Sequence, residues 1–141
     1  MNIRTMIAAL SFLLISGCAT ISEVTLPNRE NLLKLNMGMT KQEVLNIMGT
    51  KPMEAYYKPG TYGKTVGVAI NNPYRSEILR GRDEKMVEVL YYVTDDRNAD
   101  GVINDNETTP MVFENGRLAG WGWNFLESEI KKYEIIIKKG G

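Results

Sequence analysis

At 141 residues, with 17 basic and 17 acidic side chains, the chain has room for one small domain and no net charge to attract nucleic acid. It has no histidine, which excludes Ser-His-Asp and Cys-His nucleophile pairs and imidazole metal ligation; its single cysteine, Cys18, excludes an internal disulfide and a thiolate zinc site. Carboxylate or lysine chemistry survives these exclusions, but the balance falls toward binding, scaffold or assembly work.

The chain opens with Arg4, an apolar run from Met6 to Ile15, then Ser16-Gly17-Cys18. About ten apolar residues are half of the roughly 20 that span a bilayer, which predicts a secretion leader and not a membrane helix. Ile15-Ser16-Gly17-Cys18 resembles the lipobox of bacterial lipoproteins, an aliphatic residue and two small ones before the cysteine. The small residues let the peptidase fit a narrow backbone beside a diacylglyceryl thioether. The resemblance implies that residues 1–17 are removed as a signal peptide and that Ile15, Ser16 and Gly17 are its recognition residues. It also implies that Cys18 carries diacylglycerol and an N-acyl chain. Two or three acyl chains, at about 0.8 kcal/mol per buried methylene, make a lasting membrane anchor. Ala19 is not Asp, and by resemblance to enterobacterial lipoproteins this implies sorting to the periplasmic face of the outer membrane. The competing reading is an ordinary secretory leader that carries a cysteine near its end. A lone free thiol in an oxidising compartment counts against it. Loss of Arg4 with the leader leaves 16 basic against 17 acidic residues.

Residues 18–27 lack strong periodicity and are expected to be a lipidated tether, with residues 28–141 forming a single α+β domain. Asn28 is a candidate cap for a short helix carrying Leu32, Leu33 and Leu35. After the turn Asn36 to Met39, Thr40-Lys41-Gln42-Glu43 matches the capping box, and Val44, Leu45, Ile47 and Met48 supply an apolar helical face that stops at Gly49. Met53 to Lys58 and Val66 to Ile70 are expected to be strands, and the rest of Pro59 to Lys85, dense in Pro, Gly and Asn, to be loop. Met86 to Thr94 is the clearest strand, with Val87, Val89, Tyr91 and Val93 on one face. Met111 to Phe113 and Arg117 to Trp123 flank the hairpin signal Asn115-Gly116, and a helix from Phe125 to about Tyr133 is capped by Asn124.

Leu35-Asn36-Met37-Gly38-Met39-Thr40-Lys41-Gln42-Glu43-Val44, followed by Met48-Gly49-Thr50-Lys51-Pro52 behind the lipobox, resembles the SmpA/OmlA group of small outer-membrane lipoproteins, which includes the smallest lipoprotein of the β-barrel assembly machinery. The resemblance covers roughly Leu32 to Pro52. It implies two short N-terminal helices packed on a three- to four-stranded antiparallel sheet, to which the sequence adds a C-terminal helix. A shared fold does not carry function with it.

Asp96 to Glu107 satisfies the EF-hand loop pattern, with Asp96, Asn98 and Asp100 at positions 1, 3 and 5, Gly101 at 6 and Glu107 at 12. Alternate side chains of a tightly curved loop point at one centre. Val102 offers its carbonyl, Asn104 occupies position 9, and Glu107 closes the shell with two oxygens. Calcium suits such hard oxygen ligands. The flanking segments are strand-like and not helical, and three carboxylates place the affinity at about 10⁻⁵ to 10⁻³ M. The bland reading is a solvated hairpin loop, since Asp, Asn and Gly favour turns.

In Trp121-Gly122-Trp123 a strand places both indoles on one side, with packing favoured over a sugar-stacking or partner-binding surface. Tyr56-Tyr57 and Tyr91-Tyr92 straddle the sheet. Arg75, Arg80, Arg82 and Lys85 are expected in a solvated mixed-charge loop, and Glu127, Glu129 and Glu134 on the wet face of a helix. Together these features predict a non-catalytic envelope lipoprotein, held at the membrane by its lipid, that binds an envelope protein partner as an assembly or stabilising subunit. The alternative is a calcium-binding, inhibitor-like or ligand-binding module on the same anchor, and an enzyme ranks third.

Overall fold

The computed structural model describes residues 22–60, 62–82, 84–97 and 100–135. The lipobox, Cys18 and Asn98 lie outside the described residues. The chain is α+β. Helices α1 (Ser22–Leu32) and α2 (Lys41–Met48) precede strands β1 (Met53–Tyr57), β2 (Val66–Ile70), β3 (Arg75–Arg80) and β4 (Met86–Val93). A 3-10 turn at Asp105–Glu107 leads into β5 (Thr108–Glu114), β6 (Arg117–Trp121) and helix α3 (Trp123–Lys132).

The expected single sheet is two. An antiparallel sheet in the order β3-β4-β5-β6 forms the body, and β1 and β2 form a separate antiparallel pair. Strand β3 falls where the sequence predicts loop, because Arg75-Ser76-Glu77-Ile78-Leu79-Arg80 occupies an edge of the sheet. Among the described residues it pairs only with β4, and it alternates half-buried with exposed side chains. An edge strand needs no continuous apolar face, so its charges hid it.

From Val89 to Val93 strand β4 is buried on both faces, which explains the apolar run there. On one face Leu90 and Tyr92, with Met111, Phe113 and Leu118 from β5 and β6, meet Leu35 and the α2 residues Val44 and Met48. On the other, Val87, Val89, Tyr91 and Val112 meet Leu126 of α3 and Ile135. Burial pushes the Tyr92 phenol up to about 12. A third cluster, Val24, Ala55, Ile70 and Val93, joins α1 and the small sheet to the end of β4.

Local chemistry explains the helix ends. The capping box forms as its residues predict: the Glu43 carboxylate accepts from the Thr40 N–H at 2.7 Å, and Thr40 Oγ1 accepts from the Glu43 N–H at 3.3 Å. Helix α1 starts within the expected tether. Asn28, expected as its cap, lies inside the helix and is fully buried, on a face shared with Val24 and Thr25. Pro27 inside the helix lacks the N–H that Glu23 would otherwise accept, so tertiary contacts hold this helix. Helix α3 starts at Trp123, without side-chain capping from Asn124. Gly122, at φ +92°, turns the chain straight from strand to helix. That turn sends the two indoles to opposite faces, Trp121 packing with the α2 cluster and Trp123 with the α3 cluster. The expectation of two indoles on one side is corrected accordingly.

Glu129 is not on a wet face. It is 6% exposed and sits beside Glu114, with Lys132 Nζ at 3.1 Å. Burial, then a hydrogen bond with Glu114, raises its carboxyl above the usual range. The Glu114 carboxyl is held low: burial opposes this, but hydrogen bonds from Glu129, Tyr133 and Lys85 outweigh it.

Candidate functional site

The acidic loop bridges β4 and β5 as a long hairpin excursion, strand to strand. Its base is closed by main chain: the Thr94 and Asp95 N–H groups donate to the Glu107 carbonyl at 2.9 and 3.0 Å, and the Thr94 and Thr109 hydroxyls lie 2.6 Å apart. Its centre is the Glu107 side chain. Glu107 is 2% exposed, and its carboxylate accepts from the Arg97 N–H at 3.1 Å and the Asn104 N–H at 2.8 Å. One buried carboxylate thereby gathers both limbs of the loop.

The remaining predicted ligands are placed differently. Asp100 is exposed and accepts from the Val102 N–H at 2.9 Å; the Val102 side chain is exposed. Asp95 accepts from the Asp96 N–H and pairs with Arg97 at 2.9 Å; these bonds, the Arg97 one first, hold its carboxyl below the usual range. Asp96 Oδ1 is buried with no hydrogen-bond partner, and burial, then the Glu107 and Asp95 charges, raise its carboxyl. Among the described residues no group of three or more His, Cys, Asp or Glu side chains is placed to hold a metal ion. Asp96 is the ligand-like group that the fold leaves unsatisfied. Glu107 is turned to the main chain.

Gly101 is required twice over. Its φ is +78°, and an added Cβ would lie 2.8 Å from the Tyr57 ring. The loop therefore leans directly on the small sheet, and Gly101, Val102 and Ile103 wall one side of a cleft of about 310 Å³ whose other side includes Tyr57, Ile70 and Tyr74.

A second constellation flanks the loop. The Arg75 guanidinium lies 3.6 Å from the Tyr91 ring centroid and 2.8 Å from Asp105 of the 3-10 turn. The Tyr91 hydroxyl donates to Glu77, and burial, then that bond, pushes the phenol well above its usual range. The Trp123 ring stands 5.7 Å from that of Tyr91, and its Nε1–H donates to the Thr108 carbonyl at 2.8 Å. Arg75 is thus a stacked, paired residue that locks β3 to the loop. The sequence signal was present only as an Arg one residue after Tyr74 in a stretch read as loop.

A family described as a protein of unknown function (DUF3192) matches residues 21–128, more than half of the chain, and the chain belongs to that family. Neither a curated protein nor a solved structure matches it. The family span begins where α1 begins and takes in both sheets and most of α3. Among the described residues no helix is long and apolar enough to cross a membrane.

Proposed function

We propose that this DUF3192 chain is a non-catalytic envelope lipoprotein, anchored by lipid on Cys18 at the periplasmic face of the outer membrane, whose small domain binds another envelope protein as an assembly or stabilising subunit. The observation that carries the reading is Ile15-Ser16-Gly17-Cys18, in which the chain's sole cysteine falls where a lipobox requires it. The packing of α2 on an antiparallel sheet, led in by α1 and the Asn36 to Met39 turn, supports kinship with the SmpA/OmlA group. Residues 19–21 lie between Cys18 and the start of α1 at Ser22, a length of chain that can span at most about 12 Å. An anchored domain would ride at the lipid surface.

Mass spectrometry of the native polypeptide tests the anchor. The expected result is a chain that begins at Cys18 and carries diacylglyceryl and N-acyl additions, recovered with outer membranes, while Cys18→Ser leaves the membrane fraction. An unmodified thiol or an intact leader ends the reading. Crosslinking in membranes followed by capture tests the partner role, which predicts recovery of barrel-assembly subunits.

A second reading on the same anchor is a calcium-clipped binding module, and the buried, unpartnered Asp96 Oδ1 favours it. Asp96, Asp100, Asn104 and Glu107, with the Val102 carbonyl and Asn98, are the groups that would hold the ion. Glu107 would exchange its Arg97 and Asn104 N–H donors for the cation. The sign of the pH effect is fixed by Asp96. A folded-state pKa raised above the unfolded value of about 3.9 means that its contribution is complete below about pH 4 and is lost as pH rises through the folded pKa. In calcium-free buffer Asp96→Asn is therefore expected to melt above the parent at pH 7, with the gap closing near pH 4. Millimolar calcium reverses the order, raising the parent by about 1.4 kcal/mol at ten times Kd and leaving the variant unmoved. A parent whose melting ignores calcium excludes the second reading.

A further inference from the structure

The two edges of the main sheet are treated oppositely. The outer edge of β6 is taken by the segment before α2: the Leu118 N–H donates to the Met39 carbonyl at 2.7 Å, the Gly38 N–H to the Leu118 carbonyl at 2.8 Å, and the Lys41 N–H to the Gly116 carbonyl at 3.0 Å. Among the described residues strand β3 has no such cover. Helix α2 packs toward β6, and α3 packs on β5 and β6.

An open edge is normally guarded by a charge near its centre. Here the centre is Ile78, 61% exposed, with Met86 beside it on the same face at 50%. The strand's charges are all paired within the chain: Arg75 with Asp105 and Glu77, and Arg80 with Glu84. None is left over to repel a second strand.

We propose that β3 pairs antiparallel with β3 of a second copy of this chain, across a twofold axis at Ile78, joining two four-stranded sheets into one of eight strands. This goes beyond the partner-binding role and does not depend on it. Opposed residues of a continuous sheet must share a face, which restricts the axis to a residue position. An axis at Glu77 sets two carboxylates against each other, and one at Leu79 sets Ile78 against Arg80. An axis at Ile78 sets Ile78 on Ile78, Glu77 on Leu79 and Ser76 on Arg80, with no like charges opposed. It packs the two exposed Ile78 side chains against each other while satisfying the free edge of the backbone.

Sedimentation of the purified chain between about 1 and 200 μM, the range a small interface calls for, is expected to show a monomer–dimer equilibrium. Ile78→Lys should weaken it at least tenfold without changing the thermal melt of the monomer. Under mild oxidation, with Cys18→Ser in place, Ile78→Cys should give a disulfide dimer. Ser76→Cys should not, because the two copies of residue 76 lie about 13 Å apart in this register. A chain that stays monomeric throughout, including one whose β3 edge accepts a strand from a different protein, overturns the proposal. So does dimerisation indifferent to Ile78→Lys, or cross-linking of Ser76→Cys as readily as Ile78→Cys.

Discussion

Glu107→Ala is expected to lower stability by about 3 kcal/mol, read from the urea midpoint, with the melting temperature falling by roughly 10–20 °C. The substitution leaves the Arg97 and Asn104 N–H groups without the carboxylate that gathers them, at a side chain that is 2% exposed. Hydrogen bonds to a charged acceptor contribute about 1.5–3 kcal/mol each, and the two share one acceptor group, so the sum is less than twice the single value. The strand ends need not move, because Thr94 and Asp95 remain bonded to the Glu107 carbonyl, which alanine retains. The loss should therefore fall on residues 95–106, and hydrogen exchange of the Arg97 and Asn104 amides should rise more than that of β4. A cost under about 0.5 kcal/mol would mean that the loop is shaped by its own turns and that Glu107 only occupies space. Glu107→Gln separates charge from shape: its amide nitrogen must face one of the two N–H donors, so it recovers only part of the loss.

What the sequence made legible was whatever is set within a few residues. The Thr40 to Glu43 box, the Asn115-Gly116 hairpin and the alternation of β4 each depend on neighbours close in the chain, and each formed. Elements chosen by distant partners were missed. Strand β3 exists because β4 offers it an edge. Helix α1 buries Asn28 and Thr25, polar residues that a hydrophobic pattern cannot flag. Glu129 lies at a helical position like that of any surface glutamate, and its burial comes from Glu114 and Lys132 closing over it. The acidic loop shows both sides of this divide. Its spacing and the need for glycine at position 101 were readable, whereas the capture of Glu107 by the Arg97 and Asn104 N–H groups is a property of the folded loop.

The same reasoning makes Asn28 the second large effect. Its Nδ2 group donates to Asn72 Oδ1 at 3.0 Å and to the Val93 carbonyl at 2.8 Å, while Asn72 Nδ2 donates to the Met48 carbonyl at 2.9 Å. Two buried amides in series thus tie α1, the end of α2, the turn at 71–73 and the end of β4 into one unit. Asn28 Oδ1 has no partner, so the donors are what matter. Asn28→Ala should cost about 2–4 kcal/mol, the penalty for two buried acceptors left unmet together with a small cavity. Asn28→Asp should cost more, although it is nearly isosteric, because an ionised carboxylate turns acceptors toward the Val93 carbonyl and Asn72 Oδ1 and buries a charge at a fully buried position. Denaturant midpoints for the two variants decide the matter. If aspartate is tolerated as well as alanine, the donors are not the bond between α1 and the sheet, and the helix is held by Val24 and its apolar neighbours alone. If aspartate is the worse, the polar staple is what holds α1 against the end of β4.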